Sequence, residues 1–320
     1  MDIAVSPNPD AWAIAHAAAR AIGHFDAHKP GLFALGVDDA LRRTASSGPE
    51  VVLHWHPETG WESAPGLEGP QRDLLDLYLP ISSGTPARPI TVGHLGQSLD
   101  GFIATHSGDA ITVTGPENIL HLHRLRALCD AVIVGAGTVF ADNPRLTTRL
   151  VAGSNPVRVI LDPACRLPET HHVFSDHEAL TLRVCAAGST AAAQARARGE
   201  QTLEVAVHEG ALDLKDLLRQ LRALGCSRIF VEGGGVTVSS FLSAGLLDRL
   251  HIAIAPLLIG EGRPAIRLPP QSRLKDCLRL QHRVYRAGSD ILFDCDLRAV
   301  GSGSAPGDDA FSSMGVRRIL

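Results

Sequence analysis

The chain has 320 residues, 45% of them hydrophobic, which allows one large domain with a smaller part, or two domains. Thirty-four acidic and 30 basic residues give a net charge of −4. This argues against a general nucleic-acid-binding protein, because that class needs a basic surface. No apolar run approaches the roughly 20 residues that span a bilayer, and the first residues lack the pattern of a signal peptide. The six cysteines have no Cys-x-x-Cys spacing, which is typical of reduced thiols in a cytoplasmic protein.

Residues 1–88 are predicted to form a small α+β extension of unknown role. Asp10 is predicted to cap a helix that runs to about Phe25. A hairpin follows, with its first strand, turn and second strand at 51–55, 57–60 and 61–63. A leucine-rich patch at 74–79 is expected to dock on the main body, and residues 82–86 are interpreted as a linker.

From residue 89 the hydrophobic pattern alternates between strands and helices. Strands are predicted at 90–95, 131–134, 157–161, 181–185, 203–207, 228–231, 250–259 and 284–297, the last with a turn at 286–289. Helices are predicted at 116–128, 190–198, 213–223 and 237–244. The alternation predicts an α/β fold with a mostly parallel sheet, helices on both of its faces and antiparallel strands at its end. The tail at 299–320 is rich in Gly, Ser and Asp and is predicted to be disordered.

Residues 228–237 contain an apolar strand, an acid, three glycines and the start of a helix. Glycines remove every Cβ where a ligand would approach, and a helix beginning near Thr237 directs its unpaired N–H groups at the loop. Both features suit a pyrophosphate. Glu232 ends the buried strand, where a neutral residue would serve a structural role better. A simple strand-to-helix turn is the alternative, because the six-residue dinucleotide fingerprint is incomplete.

Two other residues, Gly135 and Asp162, also fall at the carboxyl ends of predicted strands. Ligands of parallel sheets bind beyond these ends. Gly135, Asp162 and Glu232 are therefore predicted to lie along one edge of the sheet.

Seven motifs in this part of the chain resemble one known family. They lie at 98–101, 113–115, 125–127, 130–139, 141–149, 231–234 and 255–260. In their order and spacing they resemble the pyrimidine reductase of riboflavin biosynthesis, across about residues 89–297. This is the reductase half of the bifunctional deaminase-reductase family, which has a dihydrofolate-reductase-like fold.

The resemblance implies NADPH-dependent reduction of 5-amino-6-(5-phosphoribosylamino)uracil to its ribitylamino form. Hydride would reach the C1 carbon of an opened, imine-like sugar, and the protein would supply orientation and electrostatics. The implied partners are a phosphorylated pyrimidine and a second copy of the chain, paired through the long C-terminal strands. Those strands carry Ile252, Ile254, Ile291 and Leu292.

The resemblance also implies which residues contact the cofactor. They are Gly135, Gly137, Thr138, Asp162, Gly233, Gly234, Gly235 and Thr237. In relatives, the peptide between Gly233 and Gly234 is cis. Arg166 is a further candidate, for the 2′-phosphate of NADPH, although a loop arginine is often only solvated.

Substrate contacts and catalytic roles follow from the same motifs. The implied substrate-binding residues are Ser98, Thr114, Arg126 and Arg149, and the implied catalytic residues are Glu232, Asp142 and His94. A guanidinium suits a phosphate dianion, although Arg126, in an amphipathic helix, has a solvated surface role as its alternative. Asp142 has capping of the turn before Pro144 as its alternative. Asp100 is expected mainly to shape the turn over the site.

The chain departs from the family at two positions. His94 replaces the usual lysine or asparagine and, near pH 7, a histidine is mostly neutral. Thr112 replaces a tryptophan, which weakens aromatic stacking on the substrate. The deaminase half is also missing: His56 and Glu58 have its first spacing, but no cysteine precedes Cys129, so no zinc site is expected.

These departures leave two other functions open. One is a reductase of the same fold that acts on a dihydropterin or another heterocycle. The other is a noncatalytic domain that binds a nucleotide or flavin precursor and regulates a partner through residues 1–88.

Overall fold

The computed structural model describes residues 10–110 and 113–298. The predicted tail at 299–320 and the substitution at Thr112 lie outside these residues. In the described residues, no helix is both long enough and apolar enough to cross a membrane.

The N-terminal part is an antiparallel sheet of four strands with two helices. Its elements are α1 (Ala11–Ala21), β1 (Gly31–Leu35), β2 (Leu41–Thr44), β3 (Val51–His56), β4 (Gly60–Ser63) and α2 (Gly69–Ser82), and the strand order is β2-β1-β3-β4. The predicted cap is confirmed, because the Asp10 carboxylate accepts a hydrogen bond from Trp12 N. Helix α1 ends at Ala21, before the predicted end, and Gly23 follows with a φ of 90°. The hairpin of β3 and β4 is confirmed and contains His56 and Glu58.

The prediction of a linker at 82–86 is wrong. Ser82 and Ser83 are buried, and the Ser82 hydroxyl donates to Ala15 O at 2.9 Å. The Ser83 hydroxyl accepts from Trp61 N at 2.8 Å. These small polar residues satisfy backbone groups inside the protein, where a linker would leave them to water.

The N-terminal part shares one hydrophobic core with the rest of the chain. Ile14 of α1 and Leu75 and Ile81 of α2 lie in the same buried cluster as Val92 and Leu125, which belong to the large sheet and its covering helix. The leucine-rich patch therefore docks on the main body, as predicted.

The large sheet has nine strands. Its strands are β5 (Ile90–Ser98), β7 (Ala131–Gly135), β8 (Val157–Leu161), β9 (Thr181–Ala186), β10 (Thr202–Val205), β13 (Arg228–Glu232), β14 (Arg249–Ala255), β16 (Gln281–Ala287) and β17 (Asp290–Asp296). The order is β10-β9-β8-β7-β13-β5-β14-β17-β16. The strands from β10 to β14 are parallel, whereas β17 is antiparallel to both β14 and β16. The mostly parallel sheet with an antiparallel end is confirmed.

Helices cover both faces of this sheet, so the three-layer prediction is confirmed. The helices are α3 (Pro116–Leu128), α4 (Ala136–Asp142), α5 (His172–Ser175), α6 (Thr190–Ala197), α7 (Leu214–Ala223) and α8 (Gly235–Ser243). Alternate residues of β7 point to opposite faces: Val132 and Val134 pack in the cluster that includes α3, and Ala131 and Ile133 in the cluster that includes α7 and α8.

The remaining elements are short and were not predicted. They are β6 (Phe102–Thr105), β11 (Val207–His208), β12 (Ala211–Leu212), β15 (Gly262–Pro264) and a 3-10 turn (Leu274–Asp276). Strand β6 pairs with β15, and β11 pairs with β12.

Candidate active site

Two glycine turns meet at the carboxyl ends of β7 and β13, which are neighbours in the sheet. The Thr138 hydroxyl accepts a hydrogen bond from Gly234 N at 3.1 Å. A Cβ on Gly135 would lie 2.6 Å from the Thr237 hydroxyl oxygen. The structure thus brings together most of the residues predicted to contact a cofactor. Among the described residues it contains no cis peptide, so the cis form expected between Gly233 and Gly234 is not found.

Gly235 has no room for a side chain. A Cβ there would lie 1.9 Å from Ala265 O and 2.5 Å from Pro264 O, and these backbone atoms cannot turn away. We expect Gly235→Ala to lower the unfolding free energy by at least about 1–3 kcal/mol through overpacking. Gly137→Ala is the matched control, since its Cβ meets nothing within 4 Å and the residue lies in α4. Urea denaturation measures both, and equal stability of the two variants would contradict the prediction.

A row of polar residues crosses four neighbouring strands on one face of the sheet. Glu232 of β13 pairs in register with His94 of β5, His94 pairs with His251 of β14, and His251 pairs with Asp294 of β17. All four residues are buried. Helix α3 lies over this row and contacts its first three members.

The first contact is an ion pair between Glu232 and Arg126. Arg126 Nε donates to Glu232 Oε2 at 2.9 Å and Nη2 donates to Oε1 at 2.5 Å. The two side chains are 8% and 12% exposed, which is not a solvated surface position. Burial and two parallel hydrogen bonds fix the orientation of the Glu232 carboxylate.

Thr147 joins this pair to the second predicted arginine. Its carbonyl accepts from Arg126 Nη1 at 3.2 Å, and its hydroxyl accepts from Arg149 Nη1 at 2.8 Å. The backbone N–H of Arg149 donates to His123 Nδ1. Arg149 is largely exposed to solvent. Partial desolvation of its guanidinium and the positive charge of nearby Arg126 lower its pKa. Arg149 is therefore the arginine that remains open to an anion.

The second contact of α3 is made by Asn118. Its amide oxygen lies 2.9 Å from His94 Nε2, and its nitrogen donates to the Thr114 hydroxyl at 2.9 Å. Burial, with His251 nearby, lowers the pKa of His94 to about 4. His94 is therefore neutral at pH 7 and orders the Thr114 loop through Asn118.

Two predicted residues, Ser98 and Asp100, form the turn beyond β5. The Ser98 hydroxyl donates to Asp100 Oδ1 at 2.5 Å, and Asp100 accepts from the backbone of Ile259 and Gly260. The expected local role of Asp100 matches this geometry. Ser98 is fully buried, so a contact with substrate would require this turn to move.

Asp142 and Asp162 differ in how open they are. Asp142 is the last residue of α4 and is exposed. Partial desolvation by the surrounding protein raises the pKa of its carboxyl group, and the positive charge of Arg263 opposes this rise. In the described part of the chain its carboxylate accepts no hydrogen bond, so the capping alternative is not seen. Asp162 is buried and accepts from Arg166 N, Leu167 N and Arg183 Nη1. It shapes the loop after β8, and the Arg166 side chain is exposed.

Three residues of the site were missed by the sequence reasoning: Asn118, His123 and Thr147. Each was missed because its partner lies far away in sequence or on another element. Across residues 10–110 and 113–298, no group of three or more His, Cys, Asp or Glu side chains could hold a metal ion.

Residues 90–293 match the model of the RibD C-terminal domain. The chain belongs to the RibD C-terminal domain family. The resemblance inferred from the seven motifs is thereby confirmed.

The chain covers nearly the whole length of one relative in this family but only part of another. A Methanothermobacter thermautotrophicus protein, named 2,5-diamino-6-ribosylamino-4(3H)-pyrimidinone 5′-phosphate reductase, is 35% identical over 214 residues, which are 65% of this chain and 97% of that protein. The RibD protein of Aquifex aeolicus is 36% identical over 210 residues, which are 65% of this chain but only 58% of that protein.

The RibD protein of Bacillus amyloliquefaciens is 35% identical over 278 residues, covering 87% of this chain and 73% of that protein. An alignment of 278 residues is longer than the segment 89–320, so it extends into the N-terminal part. Among solved structures, the Thermotoga maritima deaminase and 5-amino-6-(5-phosphoribosylamino)uracil reductase has a TM-score of 0.54 and 27% identity. It covers 71% of this chain and 61% of that one.

Proposed function

We propose that the chain is an NADPH-dependent reductase of riboflavin biosynthesis, acting on 5-amino-6-(5-phosphoribosylamino)uracil or a close analogue. The observation that carries this proposal is the position of Glu232. It ends the strand that leads into the second glycine turn, and Arg126 holds its carboxylate in a fixed orientation. An oriented acid is thus placed next to a turn suited to a dinucleotide.

The glycine turns fit a nicotinamide dinucleotide. Gly135 and Gly235 are closely packed, and Gly137, Gly233 and Gly234 are exposed or half-buried on the two turns, where a ligand could approach the backbone. Helix α8, which begins at Gly235, directs its first N–H groups toward the second glycine turn. Residues 135–138 and 233–237 would hold the cofactor, and the exposed side chain of Arg166 would meet a 2′-phosphate. NADPH, when bound, would supply the hydride.

The side chains around the turns would orient the sugar and supply its proton. The exposed guanidinium of Arg149 would bind the 5′-phosphate. Thr114, fixed by Asn118, would meet the edge of the pyrimidine. Reduction of an imine requires one proton in addition to hydride, and Asp142, whose pKa is raised, is the candidate donor. Glu232 would hydrogen-bond the hydroxyl groups of the opened sugar.

A second substrate is favoured by two observations. The chain spans 97% of the M. thermautotrophicus protein and 90% of an Archaeoglobus fulgidus protein, and both are named reductases of the 2,5-diamino pyrimidinone. His94 is also buried and neutral, where a lysine would bring a positive charge. The diamino compound, which has not lost its 2-amino group, is therefore the alternative substrate.

The test is oxidation of NADPH by the purified chain with each of the two pyrimidine phosphates, and separately with dihydropterins. We expect turnover with at least one pyrimidine phosphate and a preference for NADPH over NADH. Turnover with dihydropterins alone would support a reductase of another heterocycle. NADPH binding without any turnover would support a noncatalytic regulator.

We further propose a cytoplasmic homodimer. Ile252 and Ile254 of β14 and Ile291 and Phe293 of β17 are half-buried side chains on one face of the antiparallel end of the sheet. A second copy could cover this apolar face. Leu292, named with these residues from the sequence, points into the core instead and is 2% exposed.

A further inference from the structure

A chain of four buried side chains lies beside the candidate site. The Tyr78 hydroxyl is 2.7 Å from His121 Nδ1, and His121 Nε2 is 3.0 Å from His251 Nδ1. His251 Nε2 is 3.1 Å from Asp294 Oδ1. Tyr78, His121, His251 and Asp294 are each at most 3% exposed. Their elements are α2, α3, β14 and β17, so the chain connects the N-terminal part to the antiparallel end of the sheet.

The negative charge of Asp294 at one end favours one arrangement of the protons along the chain. The Asp294 carboxylate, held by Arg249 at 2.6 Å, lies 3.1 Å from His251 Nε2, and its negative charge favours the tautomer of His251 that carries hydrogen on Nε2. His251 Nδ1 is then an acceptor for the Nε2–H of His121. The remaining nitrogen of His121, Nδ1, accepts the Tyr78 hydroxyl, whose pKa burial raises to about 12. Burial, with His251 and His94 nearby, lowers the pKa of His121 well below its usual value, so the His121 ring is neutral at pH 7.

Helix α3 is the element that this chain holds. His121 lies in α3 between Asn118 and Arg126, the two residues that bind His94 and Glu232. A second contact between α3 and the N-terminal part comes from Arg124, whose guanidinium lies 5.4 Å from the Trp12 ring centre and 5.6 Å from that of Tyr78. A rotation of α3 would therefore break the contacts of Asn118 and Arg126 together.

We propose that Tyr78, His121 and His251 are positioning residues of the reductase site, and that Tyr78 gives the N-terminal part a share in catalysis. The inference rests on the proposed function. The hydrogen-bonded chain sets the rotation and height of α3 over the sheet. Through α3 it places the Arg126 guanidinium on Glu232 and the Asn118 amide between His94 and Thr114. None of the three residues needs to touch substrate or cofactor.

The test compares two variants of helix α2 in the full chain. Tyr78→Phe removes the hydroxyl but keeps the ring that packs edge-on against Trp12. Ser82→Ala, the matched control, removes a buried hydroxyl one turn later whose partner, Ala15 O, lies in α1 and away from α3. We expect Tyr78→Phe to lower kcat/KM about 5- to 10-fold. Ser82→Ala should leave kcat/KM unchanged, with a similar fall in Tm.

A second measurement does not depend on turnover. Nitrogen-15 NMR of the imidazole rings should show hydrogen on Nε2 of both His121 and His251 in the unsubstituted chain. Tyr78→Phe should shift these signals and speed exchange of the Arg126 Nε proton with solvent, whereas Ser82→Ala should change neither. Should Tyr78→Phe not fold, His121→Gln replaces it, with the Arg126 Nε proton as the readout.

The outcomes separate the two proposals. An unsubstituted chain that turns over no substrate would overturn the proposed function, while the Arg126 exchange rate would still decide the positioning role. Equal kinetics and equal Arg126 exchange in Tyr78→Phe and Ser82→Ala would overturn the positioning role, whatever the activity.

Discussion

Replacing Glu232 by glutamine is expected to lower kcat by about 100-fold or more while the affinity for NADPH stays nearly unchanged. Glutamine has the shape of glutamate and keeps one oxygen to accept from Arg126, so the loss comes from the missing charge. Removing one oriented polar group from a catalytic site typically costs about 10²–10³ in kcat. Turnover measured by NADPH oxidation, together with NADPH affinity measured by calorimetry, separates the two effects.

The control for this variant is Asp176→Asn. Asp176 pairs with Arg158 at 2.8 Å, and the two side chains are 7% and 1% exposed, so this pair is as buried as that of Glu232. Removing one partner of a buried pair destabilises a protein by about 3–5 kcal/mol. Both variants should therefore be less stable, but only Glu232→Gln should lose kcat. Equal loss of kcat and of NADPH binding in Glu232→Gln would mean that the role of Glu232 is structural.

The second large effect concerns acid stability: the unfolding free energy should fall as the pH is lowered from about 6.5 to about 4. Burial lowers the pKa of His94 to about 4, and burial also lowers the pKa of His121 well below its usual value. Unfolded histidine has a pKa near 6.5. Between these values the unfolded chain binds protons that the folded chain does not, so the stability present above pH 6.5 is progressively lost. Each such histidine contributes a slope of about 1.4 kcal/mol per pH unit.

Urea denaturation at pH 7, 5.5 and 4.5 measures this slope. His94→Asn removes one titrating group and should reduce the slope by about 1.4 kcal/mol per pH unit in this range. Asp294 does not interfere, since its pKa is lowered below the ordinary 3.8 by His251 and Arg249, although burial opposes the shift. Its contribution is lost only at a lower pH. The same slope in His94→Asn and in the unsubstituted chain would show that His94 already binds a proton in the folded state.

The sheet and its main helices were predictable because their signals are local. Helix α3 occupies the predicted residues 116–128, with Pro116 in its first turn. Helix α7 lies within the predicted residues 213–223 and begins after Asp213, whose carboxylate caps it. The glycine turns also follow strands whose buried runs are visible in the sequence. In these segments neighbouring residues determine the structure.

The parts that were missed depend on distant partners. Residues 82–86 have the composition of a linker, but their hydroxyl groups meet α1 and β4, which no local pattern reveals. Arg126 was expected to bind phosphate, and its partner Glu232 lies 106 residues away. In the sequence, Asn118 is a polar helix residue like any other, and only the structure shows that His94 of β5 lies beneath it. The motifs therefore identified the residues of the site, while their pairing required the three-dimensional structure.

The core shared by α2, α3 and β5 has a practical consequence for anyone who prepares this protein. A recombinant fragment that begins at residue 90, where the family match begins, would lack α1 and α2 and would leave the apolar side of α3 exposed to water. Such a fragment would be prone to aggregate, and its failure in an assay would say nothing about the enzyme. Residues 10–298 should therefore be kept together for expression, crystallisation and kinetics.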